Sequence, residues 1–289
     1  MIKLNTPVEV RRDSVQITYS SKILVLGSCF ADVIGSRLKS LGFDVCVNPF
    51  GTLYNPLSIR DSILRLDSGR PFTYSDCVEM GAGAGKYCSF SHHTSFARTT
   101  AEEFLSDANA SLDDASRFWR ECDTVMITLG TSWIWEVGAS GRVAANCLKR
   151  PASEFLRRRL SPSETLAALR SLPLGPRRAV FTVSPIRHMA DGAHSNALSK
   201  AGLLTALDEY LNCAPDGPRT YFPAYEIVLD ELRDYRFYAD DLVHPSTLAQ
   251  NIIWERFCDA FIPSSERARM KEEEKRFRQS LHRDMSKKS

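Results

Sequence analysis

Two short segments hold the residue types that nucleophilic catalysis requires. In LVLGSCFADVIGSRL an apolar run ends at Gly27, then come Ser28, Cys29 and Phe30, and then a helical pattern. A nucleophile at a strand's end, under the first turn of a helix, meets backbone N–H groups and the positive end of the helix dipole. Both stabilise negative charge on an attacked carbonyl oxygen. Ser28 suits that role, and it equally suits the role of helix N-cap. A hydroxyl attacks only when a base takes its proton, and His244, in YADDLVHPSTLAQ, is the candidate base. Asp241 precedes it by three residues, a spacing that in a turn can bring a carboxylate to Nδ1 and leave Nε2 free as proton acceptor. Asp240 is the alternative carboxylate, and the same spacing also fits a plain helix-start turn with an incidental histidine. Cys29 is the rival nucleophile. Neighbouring side chains at such a turn point in different directions, so only one of the two can face His244.

These residues need a frame that brings the start and the end of the chain together. The apolar runs at 22–27, 124–130, 177–185 and 220–228 are nearly continuous, as strands covered on both faces are, with a shorter candidate at Val45–Val47. Helical patterns near 30–41, 56–67, 101–119, 162–172, 194–212 and 246–261 alternate with them. The alternation predicts a doubly wound α/β domain with a mostly parallel central sheet. Two stretches fit the scheme poorly: 67–99, and WIWEVGASGRVAANC at 133–147, which reads as a hairpin turning at Gly138–Gly141. Both are expected as insertions above the sheet, where substrate walls are commonly built.

Charge and composition exclude several function classes. With 37 Lys+Arg against 35 Asp+Glu, the net charge is +2, too little for a binder of nucleic acid, and no such partner is expected. Residues from Ser264 onward hold nine basic and five acidic side chains, so the rest of the chain is slightly acidic. Charges at i and i+4, such as Glu272 with Arg276, suit a solvated helix. The domain is therefore expected over 1–262 and a charged helical tail over 263–289. No run reaches the ~20 apolar residues of a membrane span, and the start lacks the apolar run of a signal peptide, so a cytoplasmic location is expected. The eight cysteines show no metal-ligand spacing, and neither a metal nor a cofactor is expected.

Other polar groups have double readings. Arg187 and His188 follow the run at 177–185, at the sheet end where substrate lies in such folds, and either could bind an anion or a sugar hydroxyl or pair with Asp191. His92 and His93 are expected to be solvated or to reach the cleft. Trp133 and Trp135 share one face of a strand and fit either the core or a sugar-stacking platform. Lys200 reads as a surface charge. No phosphate-binding G-x-x-x-x-G-K-[ST] occurs.

The segments LGSCFA, Asn48–Pro49–Phe50–Gly51–Thr52, Thr128–Leu129–Gly130–Thr131–Ser132, Ser184–Pro185–Ile186–Arg187–His188, Tyr225–Glu226–Ile227 and LRDYRFYADDLVHPS occur in one order over roughly residues 20–262. Together they resemble the GSCFA-domain family, within the SGNH/GDSL hydrolase superfamily. The resemblance implies a flavodoxin-like three-layer α/β/α fold and ester hydrolysis, with Ser28 as nucleophile and Asp241 and His244 as its partners. It implies that the N–H of Gly51 joins the oxyanion hole. The superfamily's third block carries an asparagine, absent from Gly130–Thr131–Ser132–Trp133 here. Its donor role then falls to Thr131 or Ser132, to Asn48, Asn55 or Asn146 from another loop, or to no third group. The expected substrate is an acyl ester of a carbohydrate or small metabolite. Acyl transfer at the same site, and a non-catalytic carbohydrate-binding or scaffold role, are the alternatives.

Overall fold

The computed structural model describes residues 6–11, 15–138, 140–213 and 217–286, with side chains up to Ser280. Five strands form the central sheet: β1 (Lys22–Gly27), β2 (Asp44–Val47), β5 (Thr124–Leu129), β9 (Arg178–Val183) and β10 (Arg219–Tyr221). Their order is β10-β9-β5-β1-β2 and every pairing is parallel. The strand order therefore reverses between β1 and β5, and the crevice beyond their carboxyl ends is where such sheets bind ligands.

Alternating side chains of the strands feed two cores. Leu24 and Leu26, with Val125, Ile127 and Leu129 of β5 and Phe181 of β9, face one cluster. That cluster is closed by α2 (Pro56–Ser68), α3 (Ala101–Glu121), α4 (Pro162–Arg170) and α5 (Gly192–Asn212). Ile23, Val25, Met126 and Val180 face the other, closed by α1 (Cys29–Ser40) and α7 (Thr247–Phe261). Both faces of every central strand are thus apolar, which is why their sequences do not alternate. The result is the expected three-layer α/β/α sandwich with a parallel sheet. The charged tail forms α8 (Arg267–Ser286), anchored where Met270 enters the second core and the Arg269 guanidinium lies over Tyr19, 3.9 Å from the ring centroid. Both ends of the chain lie outside the described residues. No described helix is long and apolar enough to cross a membrane.

The sequence reading fails in two places. Of the run 220–228 only its start is extended: β10 ends at Tyr221, Pro223 cannot continue a ladder, and the chain turns into α6 (Ala224–Glu226) and a π-helical turn, Ile227–Leu232. The second insertion has three strands, order β7-β6-β8: β6 (Trp133–Val137), β7 (Val143–Ala144) and β8 (Phe155–Arg159). The β6–β7 hairpin lies where expected, with Ala139 at its turn outside the described residues. The strand β8, sequence FLRRR, was unexpected because it lacks an apolar signature. In the first insertion β3 (Val78–Glu79) and β4 (Tyr87–Cys88) form a two-stranded ribbon.

Candidate active site

A cleft of about 490 Å³ lies at the carboxyl ends of β1, β5 and β9. Cys29 enters it from β1, Thr131 from β5, and Ile186, Arg187 and His188 from β9; Val243 and His244 close it from the loop before α7, and Trp133, Trp135 and Arg157 from the insertion. A larger cleft, about 810 Å³, is lined by Arg60, Arg65, Asp67, Arg70, Asp76 and Arg142 but by no histidine or cysteine. The candidate base His244 and the candidate nucleophile Cys29 both line the smaller one.

The His244 loop is a tight turn, with the Ala239 N–H donating to the His244 carbonyl at 2.8 Å and Leu242 at φ 56°. Asp241 sits at its centre: its Oδ1 accepts from the N–H groups of Val243 and His244, both at 2.9 Å, and its Oδ2 lies 2.6 Å from His244 Nδ1. The two N–H donors, with the imidazole, hold the Asp241 carboxyl down at about 2. The carboxylate at Nδ1 leaves Nε2 as the proton acceptor. Asp241, and not Asp240, is the imidazole's partner. Arg187 is a brace for this loop. Its backbone N–H donates to the Val243 carbonyl and its Nη1 to the Leu242 carbonyl, both at 3.1 Å, with the guanidinium 5.3 Å from the Tyr238 ring centroid.

At the first turn of α1 the two nucleophile candidates separate. Ser28 is 0% exposed, does not line the cleft, and its Oγ accepts from the Phe30 N–H at 3.3 Å as an N-cap. Cys29 lines the cleft, with its Sγ 3.4 Å from the Tyr54 hydroxyl. Burial, and the contact with Cys29, push that phenol up to about 12, so it stays protonated. The turn is locked from behind: Asn48 Oδ1 accepts from the Gly27 N–H at 2.8 Å and its Nδ2 donates to Asp32 at 2.6 Å.

The anticipated oxyanion donors fare unequally. The Gly51 N–H donates to the Asn48 carbonyl at 2.7 Å, and Gly51 at φ 83° packs against His93, where a Cβ would come within 2.3 Å of the histidine's own Cβ. Its glycine is explained by that contact, not by the cleft. Asn48 is engaged as described, and Asn146 Oδ1 caps the Leu148 N–H at 2.8 Å. Ser132 is buried and bonds Ser199 through both its N–H, at 2.8 Å, and its hydroxyl, at 3.1 Å. Thr131 reaches the cleft, but its Oγ1 also bonds Ser199, at 3.0 Å, and accepts from the Trp133 N–H. Asn55 remains: it lines the cleft, its Oδ1 caps α2 through the Ser58 N–H at 2.8 Å, and the side-chain amide is the group left over. The N–H of Cys29, first in α1, has no intrahelical acceptor.

His188 lines the cleft, with burial pushing it down to about 4, so it is a neutral ring and no cationic anion-binder. His92 is a core residue at 0% exposure, ringed by Phe50, Phe72, Phe96 and Phe104 and pushed down to about 3 by burial. His93 caps a short 3₁₀ turn through Ser95. The Arg157 guanidinium, 4.9 Å from each ring centroid, stacks on both Trp133 and Trp135 and pairs with Asp191, so protein already occupies the platform considered for a sugar.

Lys200 departs furthest from expectation. It is 1% exposed, and its Nζ donates to the carbonyls of Gly130 and Ser184, both at 2.7 Å, tying together the loops that leave β5 and β9. A sequence signal existed: the buried stripe Leu203, Leu207 and Tyr210 of α5 runs back through position 200. Burial pushes the ammonium from 10.5 down to about 7. Between those values the unfolded chain binds the proton that the native one lacks, so this group makes stability rise with pH from about 7 to about 10.5, by at most about 1.4 kcal/mol per unit. Lys200→Met is expected to remove that slope, and above about pH 10.5, where the wild-type lysine is neutral in both states, to lower stability by about 1–3 kcal/mol through its two stranded carbonyls. Chemical denaturation of both proteins across this pH range checks it; a difference that does not vary with pH contradicts it.

Comparison with curated proteins and with solved structures found no match. The model of the GSCFA family matches residues 22–257, which takes in both the turn after β1 and the His244 loop, and the chain belongs to the GSCFA family.

Proposed function

We propose that this protein cleaves acyl esters by nucleophilic catalysis in the manner of the SGNH/GDSL hydrolases, with His244 as general base and Asp241 as its orienting carboxylate. The observation that carries the reading is that His244, held by Asp241, and Cys29 of the first turn of α1 line one cleft at the strand-order reversal. In the cycle His244 Nε2 takes the proton of a nucleophile from that turn, which attacks the ester carbonyl. The oxyanion meets the Cys29 N–H, the positive end of α1 and the Asn55 amide. His244 then protonates the departing alcohol and activates the water that frees the acyl group.

Trp133, Trp135, Ile186, Met189 and Val243 give the cleft an apolar stretch of wall that suits an acyl chain or the carbon skeleton of a small alcohol. The same lining disfavours water, which supports transfer to a second alcohol as an alternative fate of the acyl group. The test is hydrolysis of p-nitrophenyl acetate by the purified protein and its His244→Ala variant. Turnover that depends on His244 supports the reading, and equal rates in the two proteins overturn it.

A further inference from the structure

We infer that the nucleophile is the Cys29 thiol, and that the acyl-enzyme is a thioester. This rests on the ester-cleaving reading and names the reacting atom within it.

Three independent observations converge. The Ser28 hydroxyl is withdrawn from the cleft at 0% exposure and caps α1, so an ester carbonyl cannot reach it without unwinding that turn. The Cys29 side chain lies on the same cleft wall system as His244. Its sulfur has a phenol beside it, Tyr54, whose proton is retained and can be donated to a thiolate. Among the described residues, Cys29 is the only cysteine that lines this cleft. Cys88, Cys122 and Cys258 are buried, and burial pushes each of those thiols up, as structural cysteines show.

The step balances without any added reactant. The Cys29 S–H proton passes to His244 Nε2 as sulfur bonds to the carbonyl carbon and the carbonyl electron pair moves to oxygen. Collapse of the tetrahedral adduct breaks the ester C–O bond, and the leaving alkoxide takes the proton from His244. Water then adds to the thioester with its proton going to His244. The C–S bond breaks, the acid leaves, and the thiolate recovers its proton. Cysteine is a strong nucleophile as the thiolate, so one well-placed base suffices even with two oxyanion donors.

Alkylation reads the thiol without requiring any ester substrate. With limiting iodoacetamide near neutral pH, Cys29 is expected to react at least about tenfold faster than the exposed Cys213, and His244→Ala is expected to abolish that advantage. Rates are followed by peptide mass spectrometry on the full chain. If Cys29 reacts no faster than Cys213, or if His244→Ala leaves its rate unchanged, the thiol is not paired with the imidazole and the inference fails. The acyl adduct formed from p-nitrophenyl acetate gives the second arm. Release by neutral hydroxylamine, which cleaves thioesters, is expected; an adduct on the same peptide that survives it is an oxygen ester, which overturns the thiol assignment while leaving ester cleavage intact.

Discussion

His244→Ala is expected to lower turnover of an activated ester by about 10²–10⁴-fold with little change in stability. The large kinetic effect is expected because His244 is, among the described residues, the one histidine of the cleft paired with a carboxylate: His188 also lines the cleft but is buried, with no hydrogen-bond partner at its Nε2. The small effect on folding follows from the side chain's position. It is 44% exposed, and the bonds that shape its loop, from the Ala239 N–H to the 244 carbonyl and from the 244 N–H to Asp241, are made by the backbone and survive the substitution. Because Asp241 is held at about 2, its carboxylate stays ionised through any ordinary assay range, and it adds no acid limb to the pH–rate profile above about pH 3. Steady-state kinetics with a thermal melt of each protein measures both halves. A variant that turns over like the parent would remove His244 from the chemistry, and one that fails to fold would mean the imidazole holds the loop.

Gly27→Ala is expected to destabilise the fold by about 2–5 kcal/mol, since overpacking a core and holding a side-chain-bearing residue in a disfavoured torsion each cost about 1–3 kcal/mol. Gly27 has φ +139° and a Cβ there would stand 2.3 Å from the Thr128 carbonyl oxygen and 2.8 Å from the Thr128 Cβ, both on the neighbouring strand. Neither can move, because Thr128 pairs with Thr182 on its other side. The same turn carries Ser28, which is buried, and Cys29, which lines the cleft. Urea unfolding of the variant reads the energy, and a loss below about 1 kcal/mol would show that the turn relaxes freely.

The frame of this molecule is legible in its sequence where both strand faces are apolar. KILVLG, TVMITL and RAVFTV each feed alternate side chains to two cores, and so announce buried parallel strands without reference to partners. The charged β8 and the proline-broken run after Tyr221 do not, because tertiary pairing in the first and loss of a donor in the second override local pattern. At the site, the Asp241–His244 contact is legible: a carboxylate three positions before an imidazole is brought to it by one turn. Which of Ser28 and Cys29 faces the cleft is not: the family resemblance points to Ser28, and the direction each side chain takes is set by the backbone of the strand-to-helix turn, which buries Ser28 and puts Cys29 on the cleft wall. Lys200 and Gly51 show the same limit from the other side, one a charge buried by its stripe on α5 and the other a glycine explained by His93 packing.

The decisive measurement is the location of the acyl group on the protein. After brief mixing with p-nitrophenyl acetate, acid quenching and tryptic digestion, the predominant acetyl group should lie on the peptide spanning residues 23–37, which contains Ser28 and Cys29, and His244→Ala should fail to form it. Acetylation scattered over lysines, or concentrated on a peptide outside the cleft, would contradict covalent catalysis from the turn after β1.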